Sequence, residues 1–214
     1  TKNGWESEFG ANVSLQVNNN VPGTLNTPLI PNYDSFSTGA FAIQRLVRDG
    51  YELEGGIRYD FRTFDAAGFD RNLEYYGGYR QFHNISGTLG AILPMENGWQ
   101  LRSNIGLAWR APSANELYSN GLHHGAALYE IGDPAMESER SLKWIVTPSY
   151  MGERFSFSLD AYAQYISHYI YAQPSAGEFI QTIRGTFPVF RYGQTDAALW
   201  GIDLTAQYRL PLGL

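Results

Sequence analysis

The feature that most constrains this chain is a two-residue alternation sustained far longer than a soluble strand needs. In residues 51–64, YELEGGIRYDFRTF, the positions Tyr51, Leu53, Gly55, Ile57, Tyr59 and Phe61 share one parity, and Glu52, Glu54, Gly56, Arg58, Asp60 and Arg62 share the other. Successive side chains of a β-strand point to opposite faces, so one face is apolar and aromatic and the other charged. The same split recurs in residues 99–109, 155–165 and 198–210, with one or two exceptions in 5–17 and 142–150, and less regularly in 35–47 and 82–93. The count is about eight strands, which predicts an all-β, antiparallel up-and-down meander.

The connections alternate in length. Short turns sit at Arg48-Asp49-Gly50, Glu96-Asn97-Gly98 and Met151-Gly152-Glu153, and long links at about 19–33, 65–78, 111–140 and 173–187. Asp-Gly and Asn-Gly accept the positive backbone angles of a tight hairpin. In a meander every second connection lies at the same end, so tight turns are predicted at one rim and long loops at the other, the asymmetry of an outer-membrane barrel. Length agrees: a strand of residues 51–64 reaches roughly 46 Å, and at a 45° tilt still covers about 33 Å, more than an apolar band of roughly 25 Å. A charge facing lipid at mid-depth costs about 2–4 kcal/mol, so the charge-free rows are predicted to meet lipid. The charged rows then face a lumen, through Glu52, Glu54, Arg58, Asp60, Arg62, Arg102, Arg110, Asp160, Asp203 and Arg209. Trp5, Tyr51, Trp99 and Tyr208 near strand ends suit interfacial girdles. The alternative is a soluble eight-stranded barrel with the apolar rows turned inward.

Composition removes other classes. With no cysteine, the 214 residues hold no disulfide scaffold, thiol nucleophile or zinc-thiolate site. A net charge of -6 speaks against nucleic acid, which requires clustered Lys and Arg. No apolar run is long enough for a membrane helix, and the opening TKNGWESEFG lacks the basic and apolar regions of a signal peptide.

The segment 101–141, LRSNIGLAWRAPSANELYSNGLHHGAALYEIGDPAMESERS, carries a more specific pattern: a strand ending in Arg-Ala-Pro, then Glu-Leu-Tyr, a His-Gly element, a Gly-Asp-Pro turn, and Glu-x-Glu-x-Ser opening the next strand. It resembles the signature region of TonB-dependent outer-membrane receptors, and the rest of the chain fits that family too. The resemblance implies part of a bacterial outer-membrane barrel that in the full family has about 22 strands and a plugged lumen. It implies TonB-coupled uptake of a scarce nutrient, whether siderophore-iron, haem, cobalamin, a metal or an oligosaccharide. The implied partners are outer-membrane lipid, a plug domain of the same parent chain, TonB through an N-terminal part not legible here, and the small-molecule nutrient. No cofactor and no catalytic residue are implied. With about eight strands legible, no plug, and an end at RLPLGL that reads as a strand entering a turn, the chain is expected to be a middle-to-late piece of a longer receptor.

Pro112 cannot donate to a ladder, so pairing is predicted to stop there and residues 113–140 to form an external loop. In the family such loops share ligand capture with the plug, which makes Glu116, Tyr118, His123, His124, Tyr129 and Asp133 candidate contacts; the competing role is to hold the loop in shape. His123 and His124 beside Glu116, Glu130 and Asp133 contain metal-ligating types, but neighbours in an extended chain point to opposite sides and rarely serve one ion. Ser119 near His123 lacks anything that orients a base or supplies an oxyanion hole. The mixed signs of the lumen rows suggest interstrand ion pairs more than a charge-selective path. Two other readings stay open: a complete small outer-membrane barrel with a structural or adhesive role, and a barrel enzyme acting on lipid.

Overall fold

The computed structural model describes residues 4–21, 28–70 and 72–210. Eight long strands run as a meander: β1 (Gly4–Asn18), β2 (Asn32–Arg48), β3 (Tyr51–Phe69), β4 (Tyr75–Pro94), β5 (Trp99–Arg110), β8 (Glu139–Met151), β9 (Phe155–Thr182) and β10 (Gly185–Tyr208). Between β5 and β8 lie a short helix α1 (Ala114–Tyr118) and two short strands, β6 (Asn120–His123) and β7 (Leu128–Ile131). The sheet order is β1-β2-β3-β4-β5-β8-β9-β10-β7-β6. All pairs are antiparallel except β7 on β10, which is parallel at Val189↔Tyr129, Phe190↔Glu130 and Arg191↔Ile131.

Register carries the alternation across the sheet. Arg45 lies opposite Glu54, Glu54 opposite Gly90, Gly90 opposite Asn104, Asn104 opposite Ile145 and Ile145 opposite Tyr162, so one face collects the polar rows. The opposite face presents Trp5, Phe9, Val13, Ile57, Ile85, Leu89, Trp144, Trp200, Ile202 and Leu204, all exposed. A one-residue slip anywhere would exchange the two sets, so the pattern specifies the register strongly. Tight turns join β2 to β3 at Asp49-Gly50, β4 to β5 at Glu96–Gly98 and β8 to β9 through Gly152. Asn97 (φ 58) and Gly98 (φ 82) occupy the left-handed region that makes the second of these possible.

The opposite rim departs from expectation. The links at 65–78 and 173–187, predicted as long loops, are mostly strand: β3 runs to Phe69 and β4 starts at Tyr75, while β9 runs to Thr182 and β10 starts at Gly185. The reason is that ladder pairing needs no apolar row. Past the apolar band a hairpin solvated on both faces shows no hydrophobic period, and Pro174 and Pro188 add apparent breaks, yet they flank a register shift in the β9–β10 pairing. Part of the 19–33 link, and residues 211–214 of the terminal RLPLGL, lie outside the described residues.

The link 111–138, predicted as part of a loop, carries a short helix and two short strands. It folds back onto the polar face at this rim, where Leu117, Tyr118 and Met136 are buried against Phe64, Ala66 and Phe82 of β3 and β4. Phe64 and Ala66 share the parity of Glu52 and Glu54, so the polar row turns apolar where the link covers it. Trp109, which the alternation carried into the apolar row, is half-buried, packs on this cluster and donates from Nε1 to Asp60 Oδ2 at 3.2 Å. The β4–β5 pairing stops at Gly87↔Leu107, and through the fork that opens there the end of β5 reaches side chains of β3 and β4.

Candidate functional site

The inward-folded link and the polar face below it form the candidate site. α1 starts where Ser113 and Glu116 stand in the spacing of a capping box. Glu116 reaches back to accept from the Ser113 amide at 2.7 Å and from its hydroxyl at 2.7 Å. The same carboxylate receives Arg110 at 2.8 and 3.0 Å, and Arg110 also pairs with Glu139 at 3.3 Å. Glu139 in turn accepts the Ile170 amide at 2.9 Å. Burial pushes the Glu116 carboxyl up, but the Arg110 hydrogen bond, the Ser113 amide and hydroxyl, and the Arg110 charge together outweigh it and hold the group below the usual glutamate range. Burial raises the Tyr118 hydroxyl, which stays protonated and donates to the Gly78 carbonyl at 3.2 Å. The amides of Gly132 and Asp133 donate to Ser119 O at 2.8 Å and Glu116 O at 2.9 Å, satisfying carbonyls at the end of α1. Asp133 Oδ1 accepts the Ala135 amide at 2.8 Å. Arg-Ala-Pro, Glu-Leu-Tyr, Gly-Asp-Pro and the glutamate that opens β8 are therefore parts of one latch.

The six loop candidates separate by what their side chains touch. Glu116, Tyr118 and Asp133 are engaged within the latch or on the sheet. Tyr129 is buried, with its hydroxyl on Asn120 Oδ1 at 2.9 Å. The two imidazoles diverge, His124 lying against the Arg184 guanidinium and His123 bonding through Nδ1 to Glu130 Oε1 at 2.6 Å. Glu130 is 6% exposed, and its other oxygen accepts Tyr192 OH at 3.2 Å; that hydroxyl receives Asn115 Nδ2 at 3.0 Å. Among the described residues His123 Nε2 makes no hydrogen bond, and the ring is half-exposed. A buried carboxylate that fixes one imidazole nitrogen and leaves the other outward is how proteins orient a ligating histidine. Sequence reasoning missed Glu130 and Tyr192 in this role; strand alternation offered no signal, because β7 joins the sheet only through a parallel pairing with β10.

Along the polar face, Glu52, Glu54, Arg102, Asp160 and Asp203 line a cleft of about 780 Å³ together with Lys143 and Tyr162. Arg45, absent from the predicted row, pairs with Glu52 at 2.6 Å and with Glu6 at 3.8 Å, and so ties β1, β2 and β3 together. Arg58 forks onto Asp60 at 2.8 Å and also contacts Asn12. Arg62 donates to Ser35 Oγ at 3.2 Å and lies 4.5 Å over the Phe64 ring. Arg110 belongs to the latch, and Arg209 lies past the end of β10, its amide on the Arg154 carbonyl beside the β8–β9 turn. Ser119 Oγ is buried without a partner among the described residues, and His123 is committed to Glu130, so no Ser–His pair forms.

A sequence family described as TonB dependent receptor-like, β-barrel, matches residues 2–214. The Serratia marcescens hemophore receptor HasR, solved with its hemophore HasA and heme, shares the fold at a TM-score of 0.75 and 16% identity, over 96% of this chain and 37% of its own. The copper transporter OprC does so at 0.71 and 16%, over 96% and 33%. The FrpB iron transporter of Neisseria meningitidis follows at 0.63 and 17%, over 96% and 31%. The chain thus spans about a third of the length of these solved proteins.

Proposed function

The chain belongs to the TonB-dependent receptor-like β-barrel family, whose members are bacterial outer-membrane proteins, and from that premise we propose that it forms part of a receptor importing a scarce nutrient by TonB-coupled transport. In this reading the apolar face meets lipid, and the polar face with its cleft lines the lumen against a plug carried elsewhere in the parent chain. The latched link stands at the external rim. The open sheet supports a part over a complete small barrel: among the described residues β1 pairs only with β2, and β10 below Arg191 only with β9. The relatives' cargoes make heme, copper and iron the first classes to test, with siderophore-iron, cobalamin, other metals and oligosaccharides after them.

The observation that carries cargo contact at this rim is His123, a half-exposed ring fixed by the buried Glu130 whose Nε2 makes no hydrogen bond among the described residues. Of the six loop candidates it is the one we assign to cargo; its support comes from Glu130 and Tyr192. The experiment is uptake of labelled heme, ferric siderophore and copper by cells carrying the full-length receptor, with and without TonB, in wild type and His123→Ala. The expected result is uptake of one cargo that vanishes without TonB and weakens several-fold in the variant. Flux that persists without TonB points to a passive pore and removes the proposed coupling.

A further inference from the structure

The fork between β4 and β5 opens toward the apolar face. A cleft of about 350 Å³ lies there, lined by Tyr59, His83, Asn84, Ile85, Leu107 and Arg140. Tyr59, Ile85 and Leu107 belong to the exposed apolar rows of their strands. Arg140 has the same outward parity on β8 as Leu142 and Trp144, and interrupts a row that is otherwise free of charge down to Tyr150. Its guanidinium is exposed and makes one hydrogen bond, from Nε to Asn84 Oδ1 at 3.2 Å; among the described residues no carboxylate pairs with it. Asn84 is buried and donates to Ser138 Oγ at 2.9 Å, so the arginine is held at its root, and its two terminal nitrogens, which make no hydrogen bond among the described residues, are left for a ligand in the cleft that Arg140 lines. His83 takes the Tyr59 hydroxyl on Nδ1 at 2.7 Å, and its Nε2 has no partner among the described residues.

Height along the strands says what would meet these groups. Trp99, Tyr150 and Phe157 form an aromatic cluster at the tight-turn rim, with ring centroids 5.4 Å apart for Trp99–Tyr150 and for Trp99–Phe157. Such rings favour the membrane interface. Arg140 lies ten residues along β8 from Tyr150. At about 3.3 Å per residue and a 45° tilt that is roughly 23 Å of depth, close to the roughly 25 Å apolar band of an outer-membrane barrel. Arg140 and His83 therefore stand one band-height above the lower interface, at the level of the lipid headgroups on the external side, where a free guanidinium meets phosphate.

We propose that the β4–β5 fork is a lipid site, in which Arg140 and His83 bind the phosphate of an outer-leaflet lipid while Ile85 and Leu107 contact the adjoining acyl chain. The proposal rests on the reading that the apolar face meets lipid. The test uses the full-length receptor in phosphatidylcholine vesicles containing bisphosphorylated lipid A or its dephosphorylated form, with brominated acyl chains that quench the outward Trp144 and Trp200. Lipid retained through detergent extraction is measured by native mass spectrometry. Retention of the phosphorylated lipid is expected to fall about tenfold in Arg140→Gln, the scale of a lost charge-assisted hydrogen bond, and by less in His83→Gln. Arg140→Lys, which keeps the charge, recovers part of it, and millimolar inorganic phosphate does not displace the lipid. Equal retention of both lipids, or unchanged retention in Arg140→Gln while quenching persists, overturns the site alone. Displacement by inorganic phosphate makes it a soluble-anion site and overturns the lipid assignment. Loss of quenching removes the facing, and this site with it.

Discussion

At the scale of single residues, Glu116 caps α1 through Ser113 and at the same time pairs with Arg110, so one carboxylate fixes both ends of the turn that follows β5. Its pKa is held below that of an unfolded glutamate, so it contributes stability that is fully present above the unfolded value and is lost as pH falls through the folded one. Arg110 does not titrate in this window. The protection factors of the Leu117 and Tyr118 amides, taken relative to the intrinsic exchange rate at each pH, are therefore expected to fall once pH drops below the ordinary glutamate range. Glu116→Gln is expected to cost about 1–2 kcal/mol and to remove that pH dependence; an unaltered profile would show that another group sets it. Gly132 makes a second residue-scale prediction. A Cβ there would lie 2.7 Å from the Leu117 carbonyl carbon and 2.7 Å from the Tyr118 nitrogen, so Gly132→Ala forces backbone apart at a cost of about 1–3 kcal/mol. Faster proteolysis within residues 119–131, with the eight long strands unaffected, is the expected readout.

For the elements, the decisive quantity is which row of a strand meets lipid. On β3, Ile57 is exposed on the apolar face while Glu54 lines the polar cleft. In the full-length receptor Ile57→Arg is expected to impair assembly by about 2–4 kcal/mol. Glu54→Arg is expected to cost less than that, mainly through repulsion with Arg45 directly opposite. Equal effects in a heat-modifiability assay would reject the assignment of faces. The latch makes a different demand: its helix and two short strands stand only because their side chains pack on β3, β4 and β10, since a helix of this length has no stability alone.

Across the whole molecule the sheet has two long edges, β1 and the lower part of β10, with backbone groups unpaired on their outer sides among the described residues. Open edges of this length associate with other strands. Expressed alone with an export signal in cells lacking the parent receptor, residues 1–214 are therefore expected to refold poorly and to restore no TonB-dependent uptake of the parent's ligand. Uptake restored by this chain alone would overturn the reading of it as part of a larger barrel.

By itself the sequence determined the eight long strands, their meander order, the tight-turn rim and the assignment of side chains to two faces. These follow from a period of two and from local turn chemistry, both of which are written residue by residue. The S-x-x-E spacing at Ser113 is a helix-start signal too, but it went unread, and α1 was predicted as loop. What only the tertiary structure decided is where partners meet across long separations. The extension of β9 and β10 beyond the apolar band depends on strand pairing and leaves no hydrophobic trace. The inward fold of residues 111–138 depends on Leu117 and Met136 finding Phe64 and Phe82, and the aim of His123 depends on Glu130 and Tyr192 being brought together by a parallel pairing. Arg140 shows the difference most plainly: by sequence it closed the predicted loop, whereas the structure places it in β8 beside a fork that exists only because β4 and β5 part above Gly87 and Leu107.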